Sequence, residues 1–206
     1  MANIKGGVGK TTSAVYLALG LSLTGRTLLV DADAGQESAM RWSELADGWP
    51  HDRITVVPWG DPKTLTRRIA SVQDDYAHVV VDTRPKDHDV MTAAMLATGN
   101  LLVPTTSSAI DVAELAPTFH AAAQVDTLRP VLASVLLTKV RLGTRSAEEV
   151  REVLTEVYDY PLMHSVVPLR ETIAQAYGSV PGTLGPYADV LNEILTTHTE
   201  ANSNGN

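Results

Sequence analysis

The stretch Lys5-Gly6-Gly7-Val8-Gly9-Lys10-Thr11-Thr12 has the residue types, in the right order, to hold a phosphate. An anion is bound well by successive backbone N–H groups that curl around it. Glycines let the chain come close and take dihedrals closed to other residues. A helix beginning directly after the loop adds the positive end of its dipole. Lys10 supplies a point charge for terminal phosphates, and the Thr11 hydroxyl is a hard oxygen ligand suited to Mg²⁺. Two apolar runs further on end in carboxylates: Leu28-Leu29-Val30-Asp31-Ala32-Asp33 and Val79-Val80-Val81-Asp82-Thr83. A strand end can deliver such a group beside bound phosphates, Asp33 to orient a water and Asp82 to stand near Mg²⁺. An Asp-rich turn after a strand also has an ordinary local explanation.

These groups need a scaffold that brings several strand ends to one edge, and the pattern of the chain predicts one. Thr11 to Thr24 is apolar nearly all round and reads as a buried helix, with Gly25 in the place of a C-terminal cap. Strands are predicted over 27–31, 54–58, 77–82, 101–104, 131–138 and 165–167. Helices are predicted over 36–47, 62–73, 89–98, 110–127, 146–158, 171–177 and 187–197. Asp61-Pro62 supplies an N-cap and a first-turn proline, Pro117 a kink, and Ser146-Ala147-Glu148-Glu149 the spacing of a capping box. Apolar strands alternating with helices imply an α/β fold, a mostly parallel central sheet with helices on both faces. One domain over 1–199 is the simplest organisation, followed by a polar tail over 200–206 that reads as disordered.

Composition narrows the classes. The 206 residues are 44% hydrophobic and 19% charged, with aromatics at only 5%, as suits layers of small and branched side chains. The absence of cysteine excludes a disulfide scaffold, a thiolate metal site and an iron–sulfur cluster. A net charge of −8 repels DNA and anionic lipid unless basic groups cluster locally. No apolar run reaches membrane-spanning length, and the start lacks a signal-peptide pattern, so a cytoplasmic protein is the default.

The usual phosphate-loop pattern would place glycine at position 4, where this chain has Ile4, and Lys5 stands immediately before the glycine pair. In this the sequence resembles the deviant P-loop of the ParA/MinD ATPase family, and the short plasmid-partition members in particular. The resemblance runs from position 3 to about 195. It implies ATP and Mg²⁺ as cofactors and Gly6, Gly7, Val8, Gly9, Lys10, Thr11 and Thr12 as nucleotide-binding residues. It makes Lys10 the phosphate-loop lysine and Lys5 the lysine that reaches across a homodimer to the partner's ATP. It gives Asp33 the positioning of the attacking water, and Thr11, Asp31 and Asp82 places around Mg²⁺. Pro168 and Leu169 fall where the family embraces adenine, as does the stretch Thr138 to Arg141, through contacts expected to be mostly backbone. Departures are Ala34-Gly35-Gln36 after the acidic pair, where Pro-Gln is common, and Arg84 in place of a proline. Arg84 reads as a solvated loop arginine. Asp111 matches an aspartate that shapes the family's dimer face, but an N-terminal helix carboxylate also has an ordinary capping explanation.

Only Met1 to Ile4 precede the loop, whereas a strand of about five or six residues is usual there. A missing first strand would leave a central gap with unpaired backbone groups, so the expectation is a truncated form or an upstream start.

Functionally, the resemblance implies slow, partner-stimulated ATP hydrolysis in a nucleotide-sandwich dimer. That activity would drive DNA partition with a ParB-like partner and non-specific DNA, on the nucleoid. Lys139, Arg141, Arg145, Arg151 and Arg170 could form a basic face, although scattered arginines on solvated helices are the commoner case. A MinD-like ATPase positioning another cargo and a CobQ/CobB-like biosynthetic ligase are alternatives, as is a non-catalytic nucleotide-binding scaffold. No basic amphipathic C-terminal helix is evident, so membrane attachment is not expected.

Overall fold

The computed structural model describes residues 1–204. Its strands are β1 (Thr27–Ala32), β2 (Ile54–Pro58), β3 (His78–Thr83), β4 (Asn100–Thr106), β5 (Leu132–Val140) and β6 (Leu162–Pro168). The helices are α1 (Lys10–Leu21), α2 (Ser38–Leu45), α3 (Pro62–Val72), α4 (His88–Thr98), α5 (Ala109–Ala113), α6 (Ala116–Asp126), α7 (Arg145–Glu152), α8 (Glu171–Ala174) and α9 (Tyr187–Asn204). The predicted α/β class with parallel strands is what forms. All strand pairings are parallel, in two half-sheets ordered β2-β1-β3 and β4-β5-β6.

Strand alternation explains why both faces carry helices. Leu29, Val80, Leu102 and Leu136 point to one face and pack with Ala14, Leu17, Trp42, Val190 and Leu191 of α1, α2 and α9. Leu28, Val30 and Val81 point to the other, against Leu65 and Ile69 of α3 and Val90 of α4. On that same side Leu101, Val103, Val135 and Leu137 meet Met91 and Met95 of α4 and Leu115 and Val125 around α6.

The two half-sheets meet along a seam between β3 and β4, and residues 1–4 lie in its upper part. The Met1 amino group donates to Val81 O at 2.7 Å, and Thr83 N–H donates to Met1 O at 3.2 Å. On the other side Ala2 N–H reaches Leu102 O at 3.1 Å, and the Asn3 amide nitrogen reaches Pro104 O at 2.7 Å. Residues 1–4 thus bridge both half-sheets at the end where the strands carry the acidic groups. Below it a cavity of about 570 Å³ opens, lined by Val79, Val80, Met95, Leu101, Leu191 and Ile194 among others. The expected central gap is therefore confined to the lower part of the seam.

Several local expectations give way to tertiary context. The single helix over 110–127 is two, because the chain turns at Glu114–Leu115 and Pro117 opens α6 rather than kinking it. Helix α7 begins at Arg145 after Thr144 without a side-chain cap, and then widens into a π-turn over Val153–Val157. Helix α8 is one turn, and α9 continues through Asn204, where a disordered tail was expected; residues 205–206 lie outside the described residues. Gly25 is not a left-handed cap; a Cβ there would come within 2.4 Å of Ala77 Cβ, so close approach of two backbones requires it.

Candidate functional site

The glycine-rich loop leaves Ile4 at the seam and enters α1 at Lys10. Gly7 and Gly9 are left-handed, at φ 76° and 87°, while Val8 between them is not. Such alternation of left- and right-handed residues curls successive amides into a concave nest for an anion. The N–H groups of Gly6, Gly7, Val8 and Gly9 have no acceptor among the described residues. The loop is anchored from outside: buried Asn3 accepts Lys5 N–H at 2.9 Å, and Thr138 Oγ1 donates to Val8 O at 2.8 Å. Lys139 Nζ donates to Gly7 O at 2.7 Å.

Lys10 is buried, and its ammonium donates to Lys5 O at 2.7 Å. Burial lowers its pKa, opposed by the charges of Asp82 and Asp33. Thr11 Oγ1 donates to Asp82 Oδ2 at 2.6 Å. The other oxygen, Asp82 Oδ1, is buried and has no hydrogen-bond partner among the described residues. Burial pushes the Asp82 carboxyl up to about 7, against the Thr11 hydrogen bond and the Met1 ammonium. That ammonium is itself pushed down to about 6, again by burial, opposed by Asp82.

An orphaned carboxylate oxygen beside a hydroxyl fits a hard divalent cation. Among the described residues no cluster of three or more His, Cys, Asp or Glu could cage a metal, and Mg²⁺ typically takes only one or two protein oxygens plus phosphates and waters. Thr11 and Asp82 would hold it. Asp31 takes a different place. Its Oδ1 accepts Asp33 N–H at 3.1 Å, and its Oδ2 accepts Ala39 and Met40 N–H at 2.8 and 3.0 Å. The carboxylate anchors the first turn of α2, and its acceptors are committed to backbone rather than to the Thr11–Asp82 pair. Asp33 lies on the rim, one oxygen accepting Gly35 and Gln36 N–H at 3.1 and 3.2 Å in a local turn that fixes its direction.

Pro168 ends β6 and Leu169 follows it; Leu169 N–H donates to Val140 O at 2.9 Å, one residue beyond the Lys139 that grips Gly7. The predicted adenine-side loop therefore adjoins the phosphate loop. Lys5 is turned inward within its own chain, 3.6 Å from Asp111 and 3.5 Å from Glu114 on and after α5. Arg84 is not free in solvent; it pairs with Asp87, the N-cap of α4. Sequence reasoning missed the side-chain roles of Asn3, Glu114, Thr138 and Lys139. Only Asn3, next to the loop, carried a local signal.

The profile of the CobQ/CobB/MinD/ParA nucleotide binding domain matches residues 1–180. A maintenance of carboxysome distribution protein A from Gloeobacter kilaueensis is 41% identical over 148 residues, covering 67% of this chain and 61% of that protein. The chain thus spans less than two thirds of that relative's length. The protein of the same description from Halothiobacillus neapolitanus is 28% identical over 95% of this chain and 93% of its own. Among solved structures, a Cyanothece McdA–ATP complex superposes with a TM-score of 0.78 at 17% identity, covering 94% of each chain.

Proposed function

Since this chain belongs to the CobQ/CobB/MinD/ParA nucleotide-binding family, we propose that it is a MgATP-hydrolysing switch whose ATP-bound homodimer positions a cellular cargo. The observation that carries the chemistry is the buried Asp82 Oδ1 beside Thr11, unpartnered among the described residues, next to a loop whose amides lack acceptors there. Those amides and the dipole of α1 hold the phosphates. Lys10 leaves the Lys5 carbonyl to neutralise charge on the terminal phosphate. Thr11 and Asp82 would hold Mg²⁺, which would supply further neutralisation of the phosphate charge. Asp33 orients a water whose oxygen attacks the γ-phosphorus as the bond to the bridging oxygen breaks, giving ADP and phosphate. Pro168 and Leu169 flank the base. Lys5 breaks from Asp111 and Glu114 to meet the partner subunit's ATP, so dimerisation and release of this internal pair are one event. Turnover is slow until a partner protein stimulates it.

For the cargo, the carboxysome-distribution proteins at 41% and 28% identity favour positioning of a cellular body over DNA partition as such. Plasmid or chromosome segregation with a ParB-like partner is the second reading, since the family description includes ParA. Either use calls for a dimer that binds non-specific DNA on the nucleoid in the cytoplasm. Among the described residues no helix is long and apolar enough to cross a membrane. The test is size-exclusion chromatography with Mg²⁺ and either ATP or ADP, repeated with DNA. An ATP-specific dimer that retains DNA is expected; a monomer under all conditions overturns the switch.

A further inference from the structure

We infer that Thr138 and Lys139 are positioning residues for the phosphate cradle: from the end of β5 they grip two successive loop carbonyls and so aim the Val8 and Gly9 amides inward. The inference rests on the nucleotide-binding reading above and adds residues to it.

A trans peptide is planar, with its C=O and N–H pointing in opposite directions. Fixing a carbonyl on one side of a loop therefore fixes the direction of the following N–H on the other. Lys139 Nζ binds Gly7 O at 2.7 Å, which sets the Gly7–Val8 peptide and so the Val8 N–H. Thr138 Oγ1 binds Val8 O at 2.8 Å, which sets the Val8–Gly9 peptide and so the Gly9 N–H. The single Thr138 hydroxyl proton has Thr105 O, on the neighbouring strand β4, as a second and longer acceptor at 3.1 Å, so the shorter contact to Val8 O is the grip. A loop with left-handed glycines on both sides of Val8 has wide backbone freedom, and external grips remove it before a ligand arrives.

The backbone of Lys139 supports the assignment. It is left-handed, at φ 53°, a conformation that long side chains rarely adopt and that persists where surroundings impose it. Here the turn sends the lysine stem back from the strand end to the loop. Lys139 is exposed, so its ammonium is not needed to complete a buried network, and a purely structural role would leave it dispensable.

The test measures binding of a fluorescent ADP analogue with Mg²⁺, its displacement by pyrophosphate, and apo melting temperature. It compares wild type with K139M, K139R, T138V and T138S. Loss of one charge-assisted tether should weaken both ADP and pyrophosphate about tenfold in K139M, with the apo melting temperature unchanged. K139R and T138S should stay within about threefold of wild type, each keeping the donor. T138V should weaken binding in the same direction, with some loss of melting temperature because the Val8 carbonyl is left buried. Wild-type affinity in K139M overturns the inference, and so does loss of ADP binding with pyrophosphate binding intact, which would place Lys139 on the base. In the wild type, pyrophosphate should shift the Val8 and Gly9 amide resonances, and unmoved resonances overturn the inference whatever the variants do. Failure of wild type to bind ADP at all overturns the nucleotide reading instead, and this inference with it.

Discussion

The upper and lower parts of the seam between β3 and β4 are built from the same two strands, yet differ in kind. Above, residues 1–4 hydrogen-bond to both half-sheets, and buried polar groups gather there: Asn3, Lys10, Asp82, Thr83, Thr138. Below, apolar side chains line a cavity of about 570 Å³. The upper part is where rigid backbone pays for binding, because the loop inherits its position from the strands it joins. The lower part lies at the other end of the seam from the phosphate loop, and its lining residues include packing side chains of β3, β4, α4 and α9. The difference teaches that site geometry and fold stability are separable here, which variants at the two ends can test.

The largest effect belongs to the rim. Asp33→Ala should lower ATP turnover by at least about 100-fold, the scale of a lost group acting on the reacting water, while ATP affinity stays within about threefold. Steady-state hydrolysis and equilibrium binding read the two quantities; unchanged turnover removes Asp33 from the chemistry. Next comes Lys10→Ala. Losing an ammonium on a terminal phosphate should cost about 1.5–3 kcal/mol, or roughly 10- to 150-fold in Kd for MgATP. Because Lys10 is buried and its pKa is lowered by burial, the apo protein should melt no lower without it. A large drop in melting temperature would show that the upper seam also carries stability, and would break the comparison.

How far the sequence announced this arrangement depends on the range of each interaction. The parallel strands were legible because buried runs such as Leu28 to Val30 and Val79 to Val81 are apolar on both faces, and the loop because glycines and lysines sit at fixed local spacing. Thr11 and Asp82 were each visible, although their meeting at 2.6 Å needed the fold. Asp31 read as a metal ligand because its donors, the amides of Ala39 and Met40, become available only when α2 turns back over β1. The grips of Thr138 and Lys139 span about 130 positions and left no pattern in the chain. The break between α5 and α6 was hidden because Ile110 to Thr127 stays apolar enough at helical spacing to pass as one helix.

The lower seam gives the third prediction. Four valines added before Met1 would extend the segment between β3 and β4 into the cavity and bury four branched side chains between the two helix layers. Each such side chain contributes about 1.5–3 kcal/mol, set against about 1–2 kcal/mol per ordered residue, so the net is about 2 kcal/mol. For a chain of this size that raises the melting temperature by about 5 °C. Nucleotide affinity should move by less than threefold. A larger gain in affinity than in stability would mean that the cavity loosens the loop above it, and the two ends would not be separable.

The smallest effect concerns Lys5. Its partners differ in what else they do: Asp111 also accepts the Thr106 hydroxyl at 2.5 Å, whereas among the described residues the Glu114 carboxylate pairs only with Lys5. Glu114→Gln is therefore the cleaner way to loosen the internal pair. Side-chain exposures of 33% for Lys5 and 44% for Glu114 mean water screens the interaction, and a pair of that kind is worth at most about 1 kcal/mol. If Lys5 must leave Glu114 to reach a partner, that energy opposes dimerisation. Glu114→Gln should then lower the protein concentration for half-dimerisation with ATP by about two- to fivefold at low salt. The advantage should vanish near 0.5 M salt, where the Debye length falls to about 4 Å. Sedimentation across a salt series measures both, and a midpoint that does not move at low salt would show that Lys5 crosses without first being released.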